Sequence, residues 1–157
     1  MKRQKVKFYI WTIISVLIAG VIFLFSAQNG DSSGNVSQSV TQKLFPSVVS
    51  FDAIYLIEKI IRKIAHYLIY FFLGVSVTMA YRNYISGFKN KTPCAVKQII
   101  TSVSICFVYS LSDEFHQSFI PGRNGSFLDC LLDTAGALSG VLFVLLLTNI
   151  FKKISKK

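Results

Sequence analysis

The two histidines of the chain both stand among side chains that can hold or move a proton. His66 lies four residues after Arg62 and four before Tyr70, which places the three on one face of a helix. Asp113, Glu114, His116 and Gln117 crowd into one short stretch, with Asp113 and His116 three apart and Glu114 and Gln117 three apart. Asp129 and Asp133 are four apart. Imidazole and carboxyl groups so spaced are suited to general acid–base work, which makes His66, Asp113, Glu114 and His116 the candidate catalytic set. Arg62 and Arg123 can bind phosphate or carboxylate, Arg123 through the planar fork of its guanidinium. Gln117, Asp129, Asp133, Ser26 and Gln28 complete the candidate substrate-binding set. The chain has no phosphate-binding glycine loop, dinucleotide fingerprint or serine-nucleophile elbow. Acid–base groups without an evident nucleophile are compatible with an enzyme and with a binding protein alike.

These groups sit in a chain otherwise poor in charge. Of its 157 residues 52% are apolar, 14% aromatic and only 15% charged, against about 25% charged in soluble domains. The net charge of +10 raises nucleic-acid binding, but its distribution argues against that partner. Lys2, Arg3, Lys5 and Lys7 form one block and Lys152, Lys153, Lys156 and Lys157 another, each abutting an apolar run as cytoplasmic flanks of membrane spans do. The three cysteines, Cys94, Cys106 and Cys130, give neither a disulfide framework nor a thiolate zinc site. Cys106, inside an apolar run, reads as a small buried hydrophobe.

The expected architecture is all-α: a single polytopic membrane domain with four transmembrane helices at about 8–25, 64–81, 98–120 and 127–151. The first is read as a retained helix, because its apolar stretch is too long for a signal peptide and Phe25 occupies a position that cleavage after Ala27 would need small. The third reaches spanning length only if it continues through Asp113, Glu114, His116 and Gln117 to Ile120. Before the second span, Asp52 is a plausible N-cap for a helix carrying Ile54, Ile57, Ile61 and Ile64, with Glu58 and Arg62 paired. The favoured expectation is an amphipathic helix lying in the membrane interface, its rival a helix continuous with the span.

With four spans both termini share a side. That side holds twelve Lys and Arg and the opposite side five, so both termini are expected in the cytoplasm of a multi-pass cell-membrane protein. All seven acidic residues then lie on or near the outer side, and each helix delivers polar groups to one outer depth. Ionisable groups within a membrane are costly and mark function by default. Pro121-Gly122 and Asn124-Gly125 predict a tight outer turn. Ser126 with Asp129 reads as a capping box, Asp129 having Arg123 as an alternative partner. Gly136 and Gly140 form a small-residue face for close helix packing.

The elements Phe25-Ser26-Ala27-Gln28, Arg62-Lys63-Ile64-Ala65-His66, Asp113-Glu114-Phe115-His116-Gln117, Pro121-Gly122-Arg123 and Asp129-Cys130-Leu131-Leu132-Asp133-Thr134-Ala135-Gly136 resemble, in order and spacing, the VanZ-like family of small bacterial membrane proteins. The resemblance covers roughly residues 8–147, and the run from Asp113 to Gly136 is its most specific part. It implies a polytopic membrane protein whose namesake lowers susceptibility to the lipoglycopeptide teicoplanin, and it carries no catalytic assignment. The family pattern often has Asn where Asp133 stands.

Three readings of the outer cluster follow. The first is a site for an anionic envelope lipid, a lipid-linked cell-wall precursor or a lipoglycopeptide, needing no cofactor. The second is a metal site of His66, His116 and the carboxylates, disfavoured by the absence of a His-Glu-x-x-His motif and by neighbouring arginines. The third is structural, the charges pairing to join helices in a scaffold protein.

Overall fold

The computed structural model describes residues 2–27, 51–89, 91–121 and 125–155, with the backbone alone at 51–55 and Glu58. Four helices make up the fold: α1 (Lys2–Ser26), α2 (Phe51–Phe88), α3 (Ala95–Gln117) and α4 (Phe127–Ile154). All four are long and apolar enough to cross a membrane, and there is no strand among the described residues. The all-α membrane bundle is thus as expected, a multi-pass membrane protein.

Contacts between helices set their directions. Phe8 meets Tyr84 and Phe88 while the hydroxyls of Ser15 and Ser76 lie 3.0 Å apart, so α1 and α2 are antiparallel. Ser110 bonds to Asp133 and Glu114 to Ser126, so α3 and α4 are antiparallel as well. The bundle runs up-down-up-down. The polar residues named above therefore gather at the end opposite the termini.

The central helix is α2, on which the other three all pack, α4 most extensively. In lipid, apolar side chains gain little by leaving their surroundings, so helices associate through close backbone approach and hydrogen bonds. Gly136 and Gly140 provide that approach, as expected. A Cβ at Gly136 would strike the Tyr67 carbonyl, one at Gly140 the Phe71 carbonyl, and one at Gly74 of α2 the Ala137 carbonyl. Tyr67 Oη and Ser139 Oγ, 3.0 Å apart, join the same pair of helices.

Two expectations change here. The amphipathic segment is not a separate interfacial helix: α2 runs unbroken from Phe51 to Phe88 and so contains both the segment and the second span. No Pro or Gly occurs between Asp52 and Tyr70 to stop it, and a helix once nucleated extends cheaply. Asp52 accordingly lies inside the helix rather than at its cap. The third span ends at Gln117, short of Ile120, where a tighter turn takes over with Phe119 N–H donating to His116 O (3.1 Å) and Ile120 N–H to Gln117 O (3.0 Å). Pro121 disfavours helical backbone at the residue before it.

The buried face of α3 is polar rather than apolar. Gln98, Ser102, Cys106, Ser110, Asp113 and Gln117 all turn inward, while Ile100, Ile105, Val108 and Phe115 face outward. Gln98 is held at the end nearer the termini by Arg82, whose Nη1 donates to its Oε1 at 2.9 Å. Such a helix is stable in lipid because its polar stripe is turned onto its neighbours.

Candidate functional site

Asp133 sits at the middle of the polar end. It projects from α4 one turn before the Gly136–Tyr67 contact and is fully buried. Its Oδ2 accepts a hydrogen bond from Ser110 Oγ of α3 at 2.9 Å, and its Oδ1 faces His66 Nδ1 of α2 at 3.7 Å. The His66 side chain is 22% exposed and that of Asp133 1%, so the imidazole is open to the outside with its carboxylate sealed behind it. Tyr70, one turn further along α2, is buried beside Ser110 with no hydrogen bond of its own.

Asp113 forms the second buried carboxyl. Gln117 Nε2, one turn on, donates to its Oδ2 at 3.0 Å, while Oδ1 is buried and unpartnered. The Ser26 hydroxyl, from the last turn of α1, is buried alongside it and also unpartnered. His116 stacks on Phe23 of α1, with ring centroids 4.7 Å apart, and its Nε2 is buried without a partner. Arg62 lies one turn outward from His66 with its Nε in the same condition, and it makes no ion pair among the described residues.

Glu114 takes a different position. Its Oε2 accepts the Ser126 backbone N–H at 2.7 Å. Ser126 is the N-cap of α4, as expected, but its own side chain caps nothing. The capping acceptor comes from α3 instead, and a carboxylate there also meets the positive end of the α4 dipole. Gly125 makes this possible, since a Cβ there would strike the Glu114 carbonyl. Asp129, read above in a capping box with Ser126, pairs with Lys63 of α2, while its alternative partner Arg123 lies outside the described residues. Both side chains are more than a third exposed (42% and 34%), so the pair adds little stability.

Of the candidate residues, the structure brings Ser26, Arg62, His66, Asp113, Glu114, His116, Gln117, Asp129 and Asp133 to one end of the bundle. Gln28, Arg123, the Glu58–Arg62 pairing and the Gly122-to-Asn124 part of the outer turn lie outside the described residues. Sequence reasoning placed Tyr70 on the face of Arg62 and His66 but missed Lys63 and Ser110 as members of the site. Ser110 had a signal: Gln98, Ser102, Cys106 and Ser110 recur every four residues, the mark of one helical face. Lys63 had none, because its partner is fixed by the packing of α2 on α4.

Six atoms at this end, Ser26 Oγ, Arg62 Nε, Tyr70 Oη, Asp113 Oδ1, His116 Nε2 and Asp133 Oδ1, are buried without a hydrogen-bond partner among the described residues. Native interiors satisfy nearly all such atoms, so these are the atoms at this end that a bound group or solvent could satisfy. The arrangement offers two cationic or protonatable groups on α2, three buried carboxyls on α3 and α4, and the His116 imidazole of α3 stacked against α1. It can hold an anion at its mouth and transfer a proton within. Among the described residues no group of three or more His, Cys, Asp or Glu side chains is placed to hold a metal ion, so the metal reading gains no geometric support.

Neither the curated proteins nor the solved structures give a match to this chain. The VanZ/LLP1 family model does, over residues 11–148 and so over most of each of the four helices, and the chain belongs to that family.

Proposed function

We propose that the polar end is a site for an anionic lipid of the cell envelope, or for a lipid-linked cell-wall precursor, at the outer leaflet. The observation that supports this most directly is the set of six unpartnered buried polar atoms contributed by α1, α2, α3 and α4 to one end of the bundle. Ion pairs built for stability alone would be closed on themselves, and buried charge is in any case a poor route to stability. Arg62 would meet the phosphate, while His66, backed by Asp133, would hold or pass a proton. Arg123 belongs to the same reading as a second anion ligand. The outer placement rests on the excess of Lys and Arg on the side of the termini. Binding of a precursor or of a lipoglycopeptide at this depth would account for a role in teicoplanin resistance.

The test is teicoplanin susceptibility in cells expressing the full chain or its Arg62→Gln, His66→Gln and His116→Ala variants, with membrane abundance measured in parallel. Loss of protection at unchanged abundance supports the site. Loss of both together supports the structural alternative, in which these charges only join helices. Retention of both removes any function from this cluster.

A further inference from the structure

A second site lies at the opposite end of the molecule. Helices α1 and α3 both pack on α2 but scarcely touch each other. The gap between them is a laterally open groove of about 410 Å³ with an almost wholly apolar lining. Val77 and Ala80 of α2 floor it, Phe8 and Val16 of α1 form one wall, and Ile105 of α3 forms the other. Tyr109, whose hydroxyl donates to the Ala19 carbonyl at 2.6 Å, closes it toward the polar cluster. An acyl chain lying along the groove therefore has its head group on the side of the termini.

Length and charge specify the occupant. From Phe8 to Ala19 the groove follows α1 for about 16 Å at a rise of about 1.5 Å per residue, which matches one leaflet of a hydrocarbon core about 30 Å thick. An ordinary phospholipid acyl chain has that reach. At the foot of the groove Phe8 packs against Tyr84 and Phe88, with ring centroids 5.6 and 5.5 Å away. Two ammonium groups stand over this aromatic foot, Lys5 Nζ at 4.8 Å from the Phe88 ring and Lys89 Nζ at 5.5 Å from the Tyr84 ring. None of the seven acidic residues belongs to the termini or to the α2–α3 connection, so this end carries cations with no carboxylate to neutralise them. We infer that the groove and the Lys5–Lys89 pair form a binding site for an anionic phospholipid of the leaflet on the side of the termini, with an acyl chain between α1 and α3 and the phosphate between the two ammonium groups.

The chain's single tryptophan, Trp11, immediately precedes the groove-lining Thr12 on α1 and serves as the fluorescent probe. The full-length protein is reconstituted in phosphatidylcholine vesicles carrying increasing fractions of either phosphatidylglycerol or phosphatidylcholine brominated on the acyl chain. Brominated phosphatidylglycerol should half-quench Trp11 at a mole fraction lower by about fivefold for each lysine engaged. Lys5→Gln/Lys89→Gln should abolish that preference, and Ala80→Leu, which fills the groove without changing charge, should weaken quenching by the anionic lipid. Equal quenching of the unmodified protein by the two lipids overturns the proposal, as does a preference that survives removal of both lysines.

Discussion

His66 on α2 and Asp133 on α4 face each other across the glycine-packed α2–α4 interface, Nδ1 to Oδ1 at 3.7 Å, while Ser110 of α3 holds the other carboxylate oxygen at 2.9 Å. One side chain thereby ties three helices together at the depth where the polar residues converge. At 3.7 Å the imidazole contact is electrostatic rather than a formed hydrogen bond. The carboxylate is therefore anchored by Ser110 and oriented toward His66.

That geometry separates the carboxyl's shape from its charge. Asp133→Asn keeps an oxygen for Ser110 and a polar group for His66, and its amide is nearly isosteric with the carboxyl. The purified variant should melt within a few degrees of the parent and reach the membrane at similar abundance. Asp133→Ala leaves the Ser110 hydroxyl unpartnered in a buried position, at a cost of about 1–3 kcal/mol. A lower melting temperature in detergent for the alanine variant only is the expected result, and equal destabilisation by both would show that the charge itself holds the fold.

The α2–α4 interface should be intolerant of even one methyl group. Gly140→Ala puts a Cβ into the Phe71 carbonyl and Gly136→Ala one into that of Tyr67, and backbone atoms yield less readily than a side-chain tip. Each should cost about 3 kcal/mol and lower the folded fraction recovered from membranes. Gly20→Ala is the matched control, since nothing lies within 4 Å of a Cβ there. Comparable losses at Gly20 and Gly140 would mean that the close approach of α2 and α4 is not what stabilises the bundle.

Glu114 should behave as an acceptor for the start of α4. Its Oε2 takes the Ser126 N–H at 2.7 Å, a bond that a glutamine carbonyl can also accept. Glu114→Gln should therefore preserve thermal stability, whereas Glu114→Ala should lose about 1 kcal/mol, as other cap deletions do. Should Glu114→Gln remove antibiotic protection without affecting stability, the carboxyl has a role beyond capping.

Much of this was legible in the sequence, for reasons that differ by element. The number of helices and their alternation follow from uncharged runs of spanning length, such as Phe8 to Phe25. Alternation in turn places Ser26, His66, Asp113 and Asp133 at one end without any structural information. The Gly136–Gly140 face was readable because small residues four apart share a helix surface. What could not be read were the choices between neighbours that only packing decides. Asp129 had Ser126 near in sequence, yet the approach of α2 delivers Lys63 to it. Ser126 looked like its own helix cap, yet Glu114 from α3 fills that role. The continuity of α2 was also hidden, because an amphipathic segment and an apolar one look like two elements although no breaker divides them.

The orientation of the bundle can be read from one thiol. Cys94 precedes the first residue of α3 and is exposed, whereas Cys106 and Cys130 are buried, so a thiol reagent has a single accessible target among the three. The Cys94 thiol is held below its ordinary range, first by the Lys97 backbone N–H and then by that of Val96, at the amino end of the helix. A lowered thiol range means more thiolate near neutral pH, so a maleimide should label Cys94 at pH values where an unstructured cysteine reacts slowly. With the termini in the cytoplasm, the α2–α3 connection is cytoplasmic too. A membrane-impermeant maleimide should then leave Cys94 untouched in intact cells and label it in inside-out vesicles, with Cys94→Ser as the blank. Labelling in intact cells would reverse the orientation and move the polar cluster to the inner leaflet.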